Sequence, residues 1–447
     1  MRKLIKYSKR WTLAALTVFS ISLYAASAAA ELKTFVKEYT YGASKADNKE
    51  SSHILVVHAV KKLLLEAMAA DLEGVAKASG LPLAKDEIAL LSAGAVKIDV
   101  QGERWNARAY WVKAKVAADT DDLIKRIDAL RKDREKAKEL KRISTRSSEL
   151  VREIEGLRKE FVAAKGKKKL SVKASYDRMI KLIRAIDMYE EGFADINLGM
   201  YDRAIRDLTT AIQLNPKDLG PYYSRGLAYA KVRQNVQAIQ DYDKVIELDP
   251  KFEAAYVQRG FTFFNMGKRD QAIEDFNRAI TLQPKLAAAY NGRGVVKASS
   301  GKFDEAIREY DKAIELASGF VAAHINRGLA NYNLGRNEQA LKDFDTVIGL
   351  EPDLATAHVY RGLANYSLGK YERAIEDYNR AIKLDPEQAM AYYNLARIYS
   401  LKDNYEKAMN NLRTAIKINP DMIKMAKKEN DFDRIRERPE FTNLIGQ

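Results

Sequence analysis

The sequence contains no cysteine and only four histidines among its 447 residues. Without cysteine the chain forms no disulfide, and thiolate metal sites, thiol redox chemistry and lipid attachment through a thiol are excluded. The sequence also contains no Gly-rich phosphate loop, nucleophile motif or metal-ligand spacing. We therefore expect neither an enzyme nor a cofactor, and the function should follow from the architecture.

Proline is scarce, but six of the nine prolines fall at one interval. They are Pro216, Pro250, Pro284, Pro352, Pro386 and Pro420, a spacing of 34 residues with Ser318 at the one missing place. Counting back from them defines seven units, from 185–218 to 389–422. A fixed period of this length is typical of a repeat architecture.

Small residues recur at two positions of each unit. The eighth position holds Gly192, Gly226, Gly260, Gly294, Gly328, Gly362 and Ala396, and the twentieth holds alanine from Ala204 to Ala408. Each unit reads as two amphipathic helices. A glycine within a helix costs about 1 kcal/mol relative to alanine, so its recurrence indicates that the second helix approaches the first closely at this point.

The array 185–422 resembles tetratricopeptide repeats in its period, its small residues and its closing proline. The resemblance implies a mainly α fold, an α-α superhelix (solenoid) whose first helices line a concave face that binds protein or peptide segments. By resemblance, positions 2, 5, 9, 12 and 13 of each unit point into this groove. The candidate binding residues are Tyr189, Tyr223, Phe261, Phe264, Asn265, Asn291, Tyr332, Asn333, Tyr366 and Tyr393.

Aromatic rings beside amides suit a peptide, because rings cover apolar side chains and amides bond to backbone groups. Each ring could instead fill a gap between helices, and this alternative stays open. The carboxylate clamp of chaperone-binding members needs lysine at positions 2 and 5, where this chain has none. We therefore expect apolar and amide contacts.

Arginine precedes the glycine in five units, and a carboxylate follows it sixteen residues later. The pairs are Arg225 with Asp241, Arg259 with Asp275, Arg293 with Glu309, Arg327 with Asp343, and Arg361 with Asp377. The matched spacing favours a ladder of structural ion pairs, since the guanidinium fork suits a carboxylate. The alternative is a row of arginines that holds an anionic partner.

The histidines have structural explanations. His324 and His358 stand at the fourth position of their units, where the other units mostly have tyrosine, so we expect them to pack. His53 and His58 are five residues apart on one predicted helix and lie on different faces, which does not suit a metal.

The N-terminal segment 1–30 has five positive charges, an apolar run and a final Ala28-Ala29-Ala30. This pattern predicts a signal peptide for export through a Sec-type route, to the periplasm or beyond. An uncleaved membrane anchor is the alternative. Residues 31–184 carry eleven more positive than negative charges, whereas 185–447 carry one more negative, so the basic excess lies before the repeats. Export argues against a nucleic-acid partner.

Residues 31–119 predict a small α+β domain, with a strand at 32–41, a helix that begins near Ser51, and a hairpin of 96–100 with 110–116. This order resembles the N-terminal domain of the flagellar assembly protein T group. Segment 120–165 shows a heptad seam and predicts a coiled coil, which would act as a spacer, join copies of the chain or fold back on it.

Residues 166–184 predict a basic linker and a leading helix, and 423–447 predict capping helices. Lys165, Lys167, Lys168 and Lys169 are typical of a solvated linker, with contact to anionic envelope surfaces as the alternative. Taken together, these features predict an exported scaffold that binds protein segments and assists envelope or surface-structure assembly. The alternative is a structural oligomer held by its coiled coil.

Overall fold

The computed structural model describes residues 32–81 and 83–446, and the predicted signal segment lies outside the described residues. The chain divides into two compact units, unit 1 up to Leu248 and unit 2 from Asp249. Among the described helices, none combines the length and the apolar character that crossing a bilayer requires.

Unit 1 begins with a three-stranded antiparallel sheet and two helices. The elements are β1 (Leu32–Gly42), α1 (Lys49–Ala78), α2 (Lys85–Ala93), β2 (Asp99–Trp105) and β3 (Ala109–Asp119), with sheet order β1-β3-β2. Alternate residues of β3, including Val112 and Ala114, are buried in one cluster with Val56 and Val60 of α1. This alternation confirms the predicted α+β arrangement.

Two details of this region differ from the prediction. The residues GERW, predicted as part of the connection, belong to β2, and the turn is Asn106–Arg108 with Ala107 at φ 64°. A register shift between Val100 and Gly102 lets the strand continue, which a pattern of strict alternation does not reveal. Helix α2 was not predicted, because its nine residues are too few for a clear period.

Segment 120–165 forms two helices and part of the next turn. Helix α3 (Thr120–Lys132) ends at Asp133, whose side chain accepts from the Lys136 amide and begins α4 (Arg134–Ala163). The seam residues are buried in the core of unit 1: Leu123, Ile127, Leu130, Leu150, Ile154 and Phe161. The segment therefore folds back on the chain, and its apolar seam is already covered.

The predicted linker 166–184 is helical. It forms the first part of α5 (Gly166–Asn197), which continues without a break into the first repeat. Lysine is a good helix former, so a run of lysines does not by itself indicate a flexible linker. Unit 1 then ends with α6 (Tyr201–Leu214), α7 (Leu219–Lys231) and α8 (Asn235–Leu248).

Unit 2 consists of five helix pairs and a C-terminal cap. The pairs are α9 (Glu253–Asn265) with α10 (Arg269–Leu282), α11 (Ala287–Ser299) with α12 (Phe303–Leu316), α13 (Val321–Asn333) with α14 (Asn337–Leu350), α15 (Ala355–Ser367) with α16 (Tyr371–Leu384), and α17 (Ala389–Leu401) with α18 (Tyr405–Ile418). Each pair is a predicted repeat, which confirms the fold class.

The recurring glycine permits each pair to close. A Cβ added at Gly362 would lie 2.6 Å from Cε1 of Tyr378 on the partner helix. A second recurring position, directly after the first helix, takes a left-handed conformation, as at Gly335 with φ 72°. Arg233 and Asp403 hold the same conformation in the second and seventh repeats.

The C-terminal segment covers the last pair. It forms α19 (Met422–Ala426), a 3-10 turn (Asn430–Phe432), α20 (Asp433–Arg436) and α21 (Pro439–Ile445). Phe432 and Phe441 are fully buried in one cluster with Tyr393 and Leu412. The segment thus supplies the cap that the terminal unit of a helical stack requires.

Candidate binding surface of the repeats

The first helices of unit 2 form one continuous surface. Successive first helices contact one another directly, more closely than the second helices do. Asn326 Nδ2 on α13 donates to Asn291 Oδ1 on α11 at 2.9 Å, and Ser367 Oγ on α15 donates to the Tyr332 hydroxyl at 3.4 Å. These contacts place the first helices on the inner side of the stack, where the family resemblance places a groove.

Several predicted groove residues are accessible on this surface. Asn265 and Asn333 are exposed at the ends of α9 and α13, and Phe264 and Tyr332 beside them are half-buried. Phe261 is also half-buried, with its ring 5.0 Å from Phe276 in an edge-to-face contact. The surface therefore presents aromatic faces next to exposed amides, although part of each ring packs on the helix pair and Asn333 Nδ2 donates to the Leu329 carbonyl at 2.7 Å.

Three predicted groove residues are buried, which corrects the sequence-based assignment. Asn291 is 5% exposed and accepts the bond from Asn326. Tyr189 is 2% exposed, and its hydroxyl donates to Glu139 of α4 at 2.5 Å. Tyr393 is 1% exposed under the C-terminal cap. These side chains hold helices together: Asn291 joins the first helices of two successive repeats, whereas Tyr189 and Tyr393 are covered by segments that lie outside the repeats.

Tyr223 and Tyr366 are intermediate cases. Tyr223 in unit 1 is half-buried, with its ring 6.1 Å from that of Tyr242. The Tyr366 hydroxyl donates to the Asp431 carboxylate of the C-terminal cap. Burial raises the pKa of Tyr366, and the bond to Asp431 raises it further.

A carboxylate from the cap occupies the C-terminal end of the surface. Arg397 lies 2.8 Å from Asp431 and 3.0 Å from Glu429, and its guanidinium stacks on the Tyr366 ring at 4.5 Å. Arg397 is the only cation among the inward positions 2, 5 and 9 of the repeats. The surface available to a partner therefore ends before this residue.

The arginine ladder is present, and four of its arginines make a second contact, to a side chain of the preceding repeat. Arg327 bonds to Asp343 of its own repeat at 2.6 Å and to Asp311 of the preceding repeat, also at 2.6 Å. Arg361 does the same with Asp377 and Asp345. The corresponding second contacts are Arg225 with Thr209 and Arg293 with Asn277.

These four arginines therefore bridge two successive second helices. Their forks are filled, which supports the structural interpretation over a row that holds an anionic partner. Burial raises the pKa of Asp241 despite the bonds from Arg225 that oppose it. The pairs accordingly fix the alignment of the helices more than they add to stability.

In repeats three to six, the residue at the fourth position ties the first helix to the preceding loop. Tyr256 and Tyr290 hydroxyls donate to the carbonyl oxygens of Pro250 and Pro284, both at 3.3 Å. His324 and His358 place Nε2 2.9 and 3.0 Å from the corresponding carbonyls of Ser318 and Pro352. These two histidines pack as predicted, because an imidazole can make the bond that the tyrosine hydroxyl makes.

A buried ionic cluster in unit 1 was not predicted. His58 Nδ1 of α1 lies 2.7 Å from Asp187 Oδ1 of α5, and Lys61 pairs with Glu191 one turn further on. Burial alone would lower the pKa of His58, but the charges of Asp187 and Glu190 outweigh it and raise this pKa. Burial, with the Asp187 charge, raises the pKa of Glu190 to about 7. This cluster thus contains more carboxylates than cations.

In this cluster a serine contacts a histidine, and that histidine contacts an aspartate. Ser147 Oγ lies 3.1 Å from His58 Nε2, opposite the nitrogen that faces Asp187. A hydrolase also needs free backbone donors for an oxyanion, whereas Ser147 lies within helix α4, whose amides are bonded along the helix. The raised pKa of His58 also disfavours its use as a base. The arrangement joins α1, α4 and α5.

Two cavities lie in unit 1. One of about 30 Å³ is lined by Lys61, Lys97 and Glu190 and is large enough for a water molecule. A cleft of about 480 Å³ lies beside Asp119, Arg126 and the end of β1. Among residues 32–81 and 83–446, no cluster of histidine and carboxylate side chains forms a candidate metal site.

Sequence profiles of the tetratricopeptide-repeat family match residues 221–252, 254–286, 296–335, 321–354, 362–403 and 389–422. No curated protein matches the sequence. Similar solved structures include YrrB, "a TPR protein with an unusual peptide-binding site", at 24% identity over 42% of this chain and 96% of that one, with a TM-score of 0.33.

A crystal structure of MamA is 30% identical over 37% of this chain and 96% of that one, with a TM-score of 0.32. A thermophilic TPR protein of Thermus thermophilus, TTC0263, is 19% identical over 41% of this chain and 99% of that one, with a TM-score of 0.38.

Proposed function

The chain belongs to the tetratricopeptide-repeat family, and from that premise we propose that it is a scaffold without catalytic activity. It binds an extended or helical segment of a partner protein along the first helices of unit 2. The observation that carries this proposal is the accessible set of Phe264, Asn265, Tyr332 and Asn333. Neither the arginine ladder nor the C-terminal cap uses these side chains.

The chemistry of the surface defines the segment it accepts. Position 9 of successive repeats is apolar at Phe261, Val295, Leu329 and Leu363, and then becomes Arg397, which Asp431 and Glu429 neutralise. A suitable segment presents apolar side chains to this stripe, and its backbone bonds to the amides of Asn265 and Asn333. A terminal carboxylate contributes little, because the cap occupies the arginine that would bind it.

We also propose that segment 1–30 directs export and that the protein acts in the periplasm or outside the cell, as an accessory to envelope or surface-structure assembly. Retention by an uncleaved N-terminal anchor is the alternative location. Fractionation followed by intact-mass measurement tests this point. Processing after Ala30 gives a periplasmic form that lacks the first 30 residues, whereas a full-length membrane-bound form contradicts it.

The binding proposal is tested with a double variant, Phe264→Ala with Tyr332→Ala. Leu350→Ala is the matched control, since Leu350 is 46% exposed on the second helix α14. Tagged proteins capture partners from an envelope extract, and mass spectrometry quantifies what each retains. We expect the double variant to lose a partner that the wild type and the control retain, with unchanged circular dichroism. Equal capture by all three contradicts the proposal.

The structural-oligomer alternative depends on the seam of segment 120–165. In the described residues that seam is buried inside unit 1, so no apolar stripe of this segment is available to a second copy. Light scattering over a range of concentrations separates the two candidates. A constant monomer mass agrees with the scaffold, and a stable oligomer that dissociates when exposed residues of α3 and α4 are changed supports the alternative.

A further inference from the structure

The turn between α4 and α5 in unit 1 carries a concentration of basic residues. We define the hairpin tip as residues 158–173, which contain seven lysines and arginines and one carboxylate. Every residue from Lys165 to Ser171 is exposed. Lys167, Lys168 and Lys169 are consecutive in the first turn of α5, so their ammonium groups spread around the end of the helix instead of following one face.

The hairpin tip also carries exposed apolar side chains. Leu170 is 74% exposed, the highest value among the large apolar side chains that the structure describes, and Val162 is 61% exposed. They lie on either side of the turn, Val162 near the end of α4 and Leu170 near the start of α5. A single exposed apolar residue is ordinary on a protein surface. These two differ because they belong to the same short hairpin tip as a concentration of lysines.

Carboxylates pair with three of the seven cations, two of them at the base of the hairpin tip, where Arg158 lies 3.1 Å from Asp47 and Lys173 lies 2.6 Å from Asp177. Lys168 lies 3.2 Å from Glu160, and Lys169 lies over the Phe161 ring at 4.8 Å. Both lysines are exposed, and an ion pair at such a site contributes little, so either lysine can exchange its partner for another anion. Four of the seven cations remain, so the hairpin tip retains an excess of positive charge.

We propose that the hairpin tip binds the surface of an anionic phospholipid bilayer. The lysines contact lipid phosphates, and Leu170 and Val162 enter the boundary between headgroups and acyl chains. A nucleic acid or an acidic polysaccharide would match the charge but would gain nothing from two apolar side chains. The proposal goes beyond peptide binding, because it concerns a face of unit 1 and holds whether or not unit 2 binds a partner.

Vesicle sedimentation tests the proposal. The full chain and a form that begins at Glu31, which retains every described residue, are mixed with vesicles of phosphatidylcholine alone or with one third phosphatidylglycerol. We expect the form from Glu31 to bind only the anionic vesicles, with binding that weakens as salt increases. Absence of this binding, or equal binding to neutral vesicles, overturns the proposal.

Variants separate the two contributions. Replacing Lys167, Lys168 and Lys169 with glutamine should weaken binding roughly 100-fold, since each lysine near an anionic surface contributes about a fivefold factor. The matched control replaces Lys125, Lys138 and Lys141, exposed residues elsewhere on α3 and α4, and should keep most of the binding. If the control loses as much, the effect is one of net charge and the assigned site is wrong.

The apolar contribution has its own variant. Leu170→Ser should weaken binding to anionic vesicles about tenfold, while Val236→Ser, at a side chain 57% exposed on α8, leaves it unchanged. Binding to a nucleic acid or an acidic polysaccharide is measured at the same salt. If such a polymer binds more tightly than the vesicles and Leu170→Ser changes neither affinity, the lipid assignment is overturned.

Discussion

The ion pairs of the repeats and the ionic cluster of unit 1 use the same side chains in different ways. In the repeats, each arginine meets a carboxylate sixteen residues away, and its side chain remains 16–28% exposed. In unit 1, His58 and Lys61 meet partners 129 and 130 residues away. The arginine–carboxylate pairs recur at the same positions of successive repeats, whereas the contacts of His58 and Lys61 occur once in the described residues.

The difference shows how the energy of an ion pair depends on its surroundings. Arg327 and Arg361 each bridge two carboxylates at a partly solvated edge, so the loss of one bond leaves the arginine with water and a second partner. The unit 1 cluster instead has more carboxylates than cations around Lys61, and the pKa of Glu190 rises to about 7 as a result of burial and this excess. Removing a cation there leaves buried negative charge without compensation.

The largest expected effect is that of Lys61→Met. Lys61 is 7% exposed and is the cation nearest Glu191. We expect a loss of about 3–5 kcal/mol in the unfolding free energy of unit 1, measured by calorimetry of the full chain. Adding Glu191→Gln should restore part of it. If Lys61→Met costs no more than a repeat arginine variant, the distinction between the two regions fails.

The pH dependence of unit 1 is the next effect. His58 and Glu190 both have raised pKa values in the folded protein, so folding is favoured while they hold their protons. The stability of unit 1 should fall as the pH rises above the ordinary pKa of each group, about 4.5 for Glu190 and about 6.5 for His58. The loss is complete once the pH has passed the pKa values of the folded state. We expect a loss of roughly 1–3 kcal/mol between pH 5 and 8.

Calorimetry at several pH values measures this change, and Glu190→Gln is its control. The variant should flatten the dependence of the unit 1 transition, while the transition of unit 2 changes less in both proteins. A wild-type unit 1 whose stability rises over this pH range would contradict the assignment of the two pKa shifts.

A smaller effect is expected for Arg327→Leu in the ladder. The change removes the bonds to Asp343 and Asp311, but Asp343 keeps His324 Nδ1 at 3.1 Å. We expect a loss of about 1–2 kcal/mol in the unfolding free energy of unit 2, with little change in partner affinity. A variant that folds with wild-type stability but loses its partner would restore the anion-binding interpretation of the arginine row.

The smallest expected effect is a change in the stability of unit 2 when alanine replaces a glycine. It should have opposite signs at a glycine that recurs in the repeats and at one that occurs once. Gly349 in α14 has no atom within 4 Å of an added Cβ, so Gly349→Ala should stabilise unit 2 by about 0.5–1 kcal/mol. Gly362→Ala should destabilise it, since the added carbon lies 2.6 Å from Tyr378. Thermal melts that move in the same direction for both variants would show that the recurrence has no packing cause.

The repeats were predictable because their contacts are local. Each helix pair closes within 34 residues, so Gly328, its alanine partner and the Arg327–Asp343 pair appear in the sequence at fixed offsets. The binding surface was predictable only in part. Accessibility of Asn265, Tyr332 and Asn333 follows from their position in the repeat, but the burial of Tyr189 and Tyr393 depends on segments outside the period.

The sequence alone determined the seven helix pairs, their glycine contacts and their ion-pair ladder, since a periodic chain repeats the same short-range interactions in every unit. It also marked the basic lysines of the hairpin tip. Only the tertiary structure decided that the heptad seam is buried within unit 1, that His58 meets Asp187, and that Asp431 neutralises Arg397. Each of these depends on elements that are distant in sequence, and their contact is selected by which apolar and charged surfaces remain uncovered once the local helices have formed.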